Sequence, residues 1–190
     1  MSVKPTVAVL FVTPDSVYKS IPGCDCYDAE REARTYSGGM PIVAHPPCRL
    51  WGRMKHLSTA PIEEKELAIW AVHMVREHGG VLEHPQASSL WPHMDLPRGG
   101  QSPDAWGGFT LDVDQYWWGH RAQKRTWLYI CGMQRGELPT TPFRLGRATH
   151  GISNNRKKDG RPEITHSERS ATPPAFAAWL VEVARRTRRP

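Results

Sequence analysis

No stretch of this chain comes near the roughly 18 consecutive apolar residues that a membrane-spanning helix needs. The opening residues, Met1-Ser2-Val3-Lys4-Pro5, carry no apolar signal core, so an intracellular, cytoplasmic protein is expected. Cysteine is sparse, with only Cys24, Cys26, Cys48 and Cys131. Two of these stand one residue apart, an awkward local bridge, so a disulfide-stapled fold is not expected. Internal repeats and low-complexity segments are also missing.

What is present suits one folded unit. The chain has 190 residues, 39% hydrophobic and 23% charged, enough for one domain over 1–190 with a real core. The net charge is +6 and is unevenly spread. A basic loop region, 136–162, holds Arg144, Arg147, Arg156, Lys157, Lys158 and Arg161, with Asp159 close by. A basic tail, 185–190, holds Arg185, Arg186, Arg188 and Arg189. Such clusters suit phosphate backbones, so DNA is the expected partner, with Arg156, Lys157, Lys158 and Arg161 on its backbone. No membrane partner is expected, and the oligomeric state is left open.

Apolar patterning gives the order of elements. Residues 7–12 and 42–44 are short apolar runs that read as buried strands, and 24–27 reads as an extended piece. Residues 28–35 could form one or two helical turns. Residues 61–78 read as a helix: Pro61 opens it, Glu63, Glu64 and Glu66 suit its positive end, and Gly79-Gly80 closes it. Residues 81–83, 109–116 and 126–131 read as strands, and 91–108 and 136–160 as loop. Residues 174–186 read as a last helix capped by Thr172, with Phe176, Trp179, Leu180 and Val183 on its apolar face. Trp51, Trp91, Trp117, Trp118 and Trp127 read mostly as core. Strands alternating with helices predict an α/β sheet rather than a bundle.

Three segments could carry chemistry. The strand at 42–44 delivers His45-Pro46-Pro47-Cys48, a thiol on a stiff loop at a strand end, where ligands gather in open α/β sheets. The strand at 81–83 runs into Glu83-His84-Pro85. Gln123-Lys124-Arg125-Thr126-Trp127 then leads into a strand that ends at Gly132. In this order the segments resemble those of DNA cytosine-5 methyltransferases, whose Pro-Cys loop, Glu-Asn loop and Gln-x-Arg-x-Arg element follow one another. The resemblance covers 40–132. The segment Ser167-Glu168-Arg169-Ser170-Ala171-Thr172-Pro173-Pro174, followed by a helix, also looks like the tail of small methylase-like phage proteins.

The resemblance implies a Rossmann-like, methyltransferase-type mixed sheet with flanking helices. It implies Cys48 as the nucleophile that adds to C6 of a flipped pyrimidine, Glu83 on the base edge, and Arg125 orienting base and thiolate. His45, His84, Gln123 and Lys124 are further base-binding candidates, and either Arg125 or Lys124 would supply the positive charge. The chemistry stands on its own terms. C5 of a pyrimidine is a poor nucleophile until a thiolate adds at C6, which needs a thiol of lowered pKa and a hydrogen-bonding partner at N3. A base in a duplex must also leave the stack to be reached.

The chain departs from the family at several points. The resemblance implies S-adenosylmethionine as donor, held by a glycine-rich loop after the first strand. Here Thr13-Pro14-Asp15-Ser16-Val17-Tyr18 follows, with no glycine before Gly23. The first strand closes at 12 and the cysteine strand opens at 42, so the cofactor-binding half is shortened. His84 replaces the Asn of Glu-Asn, and Trp127 replaces the second Arg. Two alternatives stay open: a DNA-binding relative without turnover, and a zinc-stabilised module using Cys24, Cys26, His45 and Cys48.

Overall fold

The computed structural model describes residues 6–152 and 160–190. The strands are β1 (Val7–Leu10), β2 (Cys24–Tyr27), β3 (Ile42–Ala44), β4 (Gly80–Pro85), β5 (Phe109–Asp114) and β6 (Arg125–Cys131). The helices are α1 (Lys65–His78), α2 (Leu90–His93), α3 (His166–Ser170) and α4 (Pro174–Arg186). The strands form one mixed sheet in the order β2-β1-β3-β4-β6-β5. The first four are parallel to one another, and β6 runs antiparallel to both β4 and β5. The fold is α/β.

Period-two alternation divides the core into two layers. Val7, Val9, Val43, Val81, Leu128 and Ile130 face α4, where Phe176, Ala177, Leu180, Val181 and Ala184 recur at helical spacing. Ala8, Leu10, Ile42, Ala44, Leu82 and Tyr129 face α1, which contributes Ala68, Ala71, Val72 and Val75. Both faces of the central strands are therefore covered, which explains their unbroken apolar runs. Gly79 caps α1, and Gly80 starts β4 at φ 131°. A Cβ on Gly80 would stand 2.1 Å from the Ile42 carbonyl oxygen, so only glycine lets β4 approach β3 there.

Several boundaries differ from the sequence reading. β1 stops at Leu10 because Phe11 takes a left-handed φ of 64°. β5 stops at Asp114, whose carboxylate accepts the Tyr116 amide at 3.0 Å and starts a 3-10 turn over Gln115–Trp118. Residues 62–64 form a 3-10 turn, and α1 proper begins at Lys65. Of 28–35, only Ala33–Thr35 is helical. α2 arises at the start of the segment read as loop, and α3 in the stretch between the basic loop region and the last helix. Thr172 does not cap α4: Pro173 holds that position, and no side chain bonds to the first amides.

The C-terminal arginines are not a free tail. The Arg188 amide donates to the Gly132 carbonyl at 2.8 Å, and Arg185 donates to the Pro22 carbonyl at 2.6 Å. Arg186 pairs with Glu182 and Arg189 with Glu77. These contacts lie at the edge where β1, β2 and β4 begin, the edge away from Cys48. Among the described residues, no helix is long and apolar enough to cross a membrane.

Phe176 is fully buried and packs against Trp118 and Trp179 with ring centroids 4.8 and 6.2 Å away. Phe176→Ala is expected to cost about 3–5 kcal/mol of unfolding free energy, measured by urea denaturation.

Candidate functional site

The strand order reverses direction around β1, with β2 on one side of it and β3 on the other. Doubly wound sheets open a crevice beyond the carboxyl ends of their strands at such a point. His45 leaves β3 there, and Glu83 lies near the end of the neighbouring β4. A chain of hydrogen bonds begins on Tyr18, in the turn after β1. Its hydroxyl lies 2.8 Å from His45 Nε2, and His45 Nδ1 lies 3.2 Å from Glu83 Oε2. On the far side, Gln115 Nε2 donates to Glu83 Oε1 at 3.2 Å and to Thr126 Oγ1 at 3.0 Å. Elements from across the sheet therefore converge on one carboxylate.

Glu83 is ionised. Burial pushes its pKa up, but the His45 hydrogen bond, with His45, Lys124 and His84 nearby, outweighs that and brings it down to about 2. A carboxylate only accepts, so His45 Nδ1 carries the hydrogen in this pair, while its Nε2 pairs with the Tyr18 hydroxyl. The side chains of Glu83 and His45 keep 15% and 14% of their exposure, so a ligand from solvent can reach them. Gln115 is 1% exposed, and its Oε1 has no hydrogen-bond partner.

Cys48 is exposed and senses the charges of both Glu83 and Lys124. Its thiol is raised above the ordinary value, first by the desolvating protein around it and then by Glu83, against the opposing Lys124. The resting thiol is therefore protonated at neutral pH, contrary to the expected lowered pKa. Its loop is firmly held. The amides of Trp51 and Gly52 donate to the Cys48 carbonyl at 3.0 and 2.8 Å, and Arg49 pairs with Glu64.

The cation beside the site is Lys124, not Arg125. In the β4–β6 register Glu83 opposes Leu128, so the β6 positions on its face are 128, 126 and 124. Arg125 falls on the other face with Trp127 and is exposed. Burial lowers the Lys124 pKa, while Glu83 and Cys48 raise it, and its Nζ donates to the Ala171 carbonyl at 3.2 Å. Gln123 is exposed next to it.

The same alternation separates the two histidines. His84 faces the α1 layer, 1% exposed, stacked on Trp91 and 2.8 Å from Ser88 Oγ through Nδ1. Its Nε2 faces the Pro46 and Pro47 carbonyls, whose partial charge favours a proton there, yet no hydrogen bond of normal geometry forms. His84 thus supports the Pro-Pro-Cys loop from behind, and it is not brought to the Glu83 cluster. Tyr18, Gln115 and Thr126 are members that sequence reasoning missed. Lys124 is a sequence candidate, and alternation back from Leu128 places it on the Glu83 face; nothing local marks Tyr18.

The zinc arrangement is not formed. Among the described residues, no three His, Cys, Asp or Glu side chains gather as metal ligands. Cys24 and Cys26 line a surface hollow of about 550 Å3 with Lys19, Asp28, Glu30 and Arg31, whereas His45 turns to Tyr18 and Glu83. Of the DNA-backbone candidates, Arg156, Lys157 and Lys158 lie outside the described residues, and Arg161 donates to the Ala148 carbonyl at 2.9 Å.

The residues after β1 do not fit S-adenosylmethionine. Phe11 adopts the left-handed conformation that favours glycine, and its ring packs on Trp70 at a centroid distance of 6.0 Å. Tyr18, 1% exposed, reaches across to His45 and fills the space beside β1 and β3 with its own side chain.

Burial drives the His84 pKa down from 6.5 to about 4, so the folded protein keeps it neutral while the unfolded chain takes up a proton below 6.5. That difference favours unfolding as pH falls. Between pH 7 and 5 it should remove about 2 kcal/mol of stability. Urea titrations at the two pH values check this: His84→Gln should lose correspondingly less than wild type. No protein-family model matches the chain, and no curated protein or solved structure matches it.

Proposed function

We propose that this protein binds a pyrimidine base of DNA at the Cys48–Glu83–Lys124 edge and modifies it through Cys48. The observation that supports this is the meeting of a thiol, an ionised carboxylate and a cation from β3, β4 and β6 in one electrostatically coupled, solvent-accessible site. The flanked mixed sheet is compatible with the methyltransferase-type architecture that the sequence resemblance implies. The roles differ from the simple carry-over. Glu83 accepts hydrogen bonds from the base, such as those of an exocyclic amine. Lys124, rather than Arg125, is the charge that favours the thiolate. His45 and Gln115 hold Glu83 in place. Cys48 releases its proton to solvent and forms the Sγ–C6 bond; the C5–C6 π pair moves through C4 to N3, which takes a proton from solvent, leaving an enamine whose C5 is nucleophilic. No step is assigned to S-adenosylmethionine, because Tyr18 and Phe11 stand where its loop would lie.

Addition at C6 has a signature that needs no donor: it labilises the hydrogen at C5. Single-stranded DNA is incubated in D2O with the protein, digested, and its deoxycytidine analysed by mass. Wild type should introduce deuterium at C5. Cys48→Ala should abolish the exchange, and Lys124→Gln should slow it by about 10²-fold or more, while Arg125→Gln leaves it nearly unchanged. Exchange by wild type no greater than by Cys48→Ala would overturn the proposed chemistry. A second reading, a base-binding protein without turnover, draws on the raised Cys48 pKa. It predicts salt-dependent DNA retention, weakened by Glu83→Gln, without exchange.

A further inference from the structure

The segment that follows Cys48 combines exposed apolar and basic side chains. Residues 53–57 read Arg-Met-Lys-His-Leu, and all five are exposed. Met54 and Leu57 keep 54% and 65% of their exposure, which places them among the exposed large apolar side chains of the described chain. The Leu57 amide donates to the Met54 carbonyl at 2.9 Å, closing a 3-10 turn over Lys55–Leu57. In that geometry positions i and i+3 eclipse, so Met54 and Leu57 stand together on one side of the turn. The charge around them has one sign. No Asp or Glu occurs between Glu32 and Glu63, and Arg53 and Lys55 have no acidic partner among the described residues.

The turn is built onto the cysteine loop. The Cys48 carbonyl accepts the amides of Trp51 and Gly52, and the Lys55 amide donates to the Gly52 carbonyl at 3.1 Å. Trp51, 2% exposed, anchors the segment in the core, and its carbonyl accepts the Ser89 amide at 2.8 Å. An exposed apolar pair flanked by cations is therefore held at a fixed offset from the thiol. Aqueous exposure of two large apolar side chains is unfavourable. Duplex DNA offers both complements, a stacked apolar interior between base steps and phosphates on either side.

We infer that the 53–57 turn is a duplex wedge: Met54 and Leu57 enter the stack beside the target base, while Arg53 and Lys55 hold the adjoining phosphates. This rests on the DNA reading above, and it supplies the extrusion that chemistry at Cys48 requires in a duplex. Unstacking by the wedge, coupled to a binding site at Glu83, moves the cost of opening the helix onto residues that take no part in the reaction.

Insertion between base steps unwinds DNA whatever its sequence, so the full-length protein can be tested on relaxed closed-circular plasmid with a topoisomerase. Wild type should shift the topoisomer distribution. The double variant Met54→Ser/Leu57→Ser should retain DNA in a filter assay but lose the shift, with an unchanged circular dichroism spectrum. Arg53→Ala/Lys55→Ala should reduce the slope of log affinity against log salt by roughly 2, one phosphate contact each. Binding by wild type without unwinding, or equal unwinding by the Ser variant, would overturn the wedge. The deuterium exchange on single strands keeps the two proposals apart. Exchange that survives in the Ser variant while unwinding is lost supports the wedge, and unwinding without any exchange supports the wedge and removes the base chemistry.

Discussion

One buried-edge charge organises this end of the molecule. Glu83 sits on the central strand β4 with little water around it, where an isolated carboxylate would protonate rather than stay charged. It stays ionised because its neighbours are arranged for it. His45 and Gln115 donate to its two oxygens, and Lys124 lies on the same face of the sheet. The supports come from the ends of β3, β5 and β6, so the carboxylate keeps its charge only if the sheet is correctly paired. Tyr18 extends the network to the turn after β1, and Thr126 closes it on β6. A network so fully engaged specifies geometry more than it adds stability, since most of the Coulomb gain offsets desolvation. The orphan Oε1 of Gln115 is its one unsatisfied acceptor.

The parts of the fold that depend on local pattern were legible in the sequence. Continuous apolar runs gave β1, β3 and β6, and helical spacing with a terminal Gly-Gly gave α1. What pattern alone could not supply was pairing. The Gln-Lys-Arg element does not say which of its cations turns toward Glu83; the β4–β6 register does, and it selects Lys124 over Arg125. The same parity sends His45 into the site and His84 behind it. α2 and α3, four and five residues long, are too short to show a period. The terminal arginines read as a basic tail because the backbone contact of Arg188 with Gly132 cannot be seen in composition. Tyr18 was missed for a related reason: a tyrosine in a turn carries no mark of the strand end it will reach.

The raised Cys48 pKa and its proposed role are reconciled by the identity of the charges that set it. After burial, the charge that opposes the thiolate is Glu83, and the charge that favours it is Lys124. A base that donates hydrogen bonds to Glu83 disperses the first charge and leaves the second. The balance on Cys48 then moves toward the thiolate only when the site is filled. An exposed cysteine held protonated in the resting protein is also protected from oxidation and adventitious alkylation, both of which follow thiolate character.

The two sides of the site edge are built in opposite ways, and the difference constrains what can follow addition at C6. On the Cys48 side, Pro46, Pro47, buried His84 and the amides of Trp51 and Gly52 hold an exposed thiol still. On the β1 side, Phe11 and Tyr18 fill with side chains the space that a doubly wound sheet opens for a ligand. Moving Tyr18 would cost more than making room, because its hydroxyl orients His45 and His45 holds the charge on Glu83. A group that entered beside β1 by displacing Tyr18 would therefore loosen the carboxylate proposed to bind the base. Any second reactant is compatible with this network only if it reaches C5 from the open, solvent side of the edge, where Cys48 and the 53–57 turn already face.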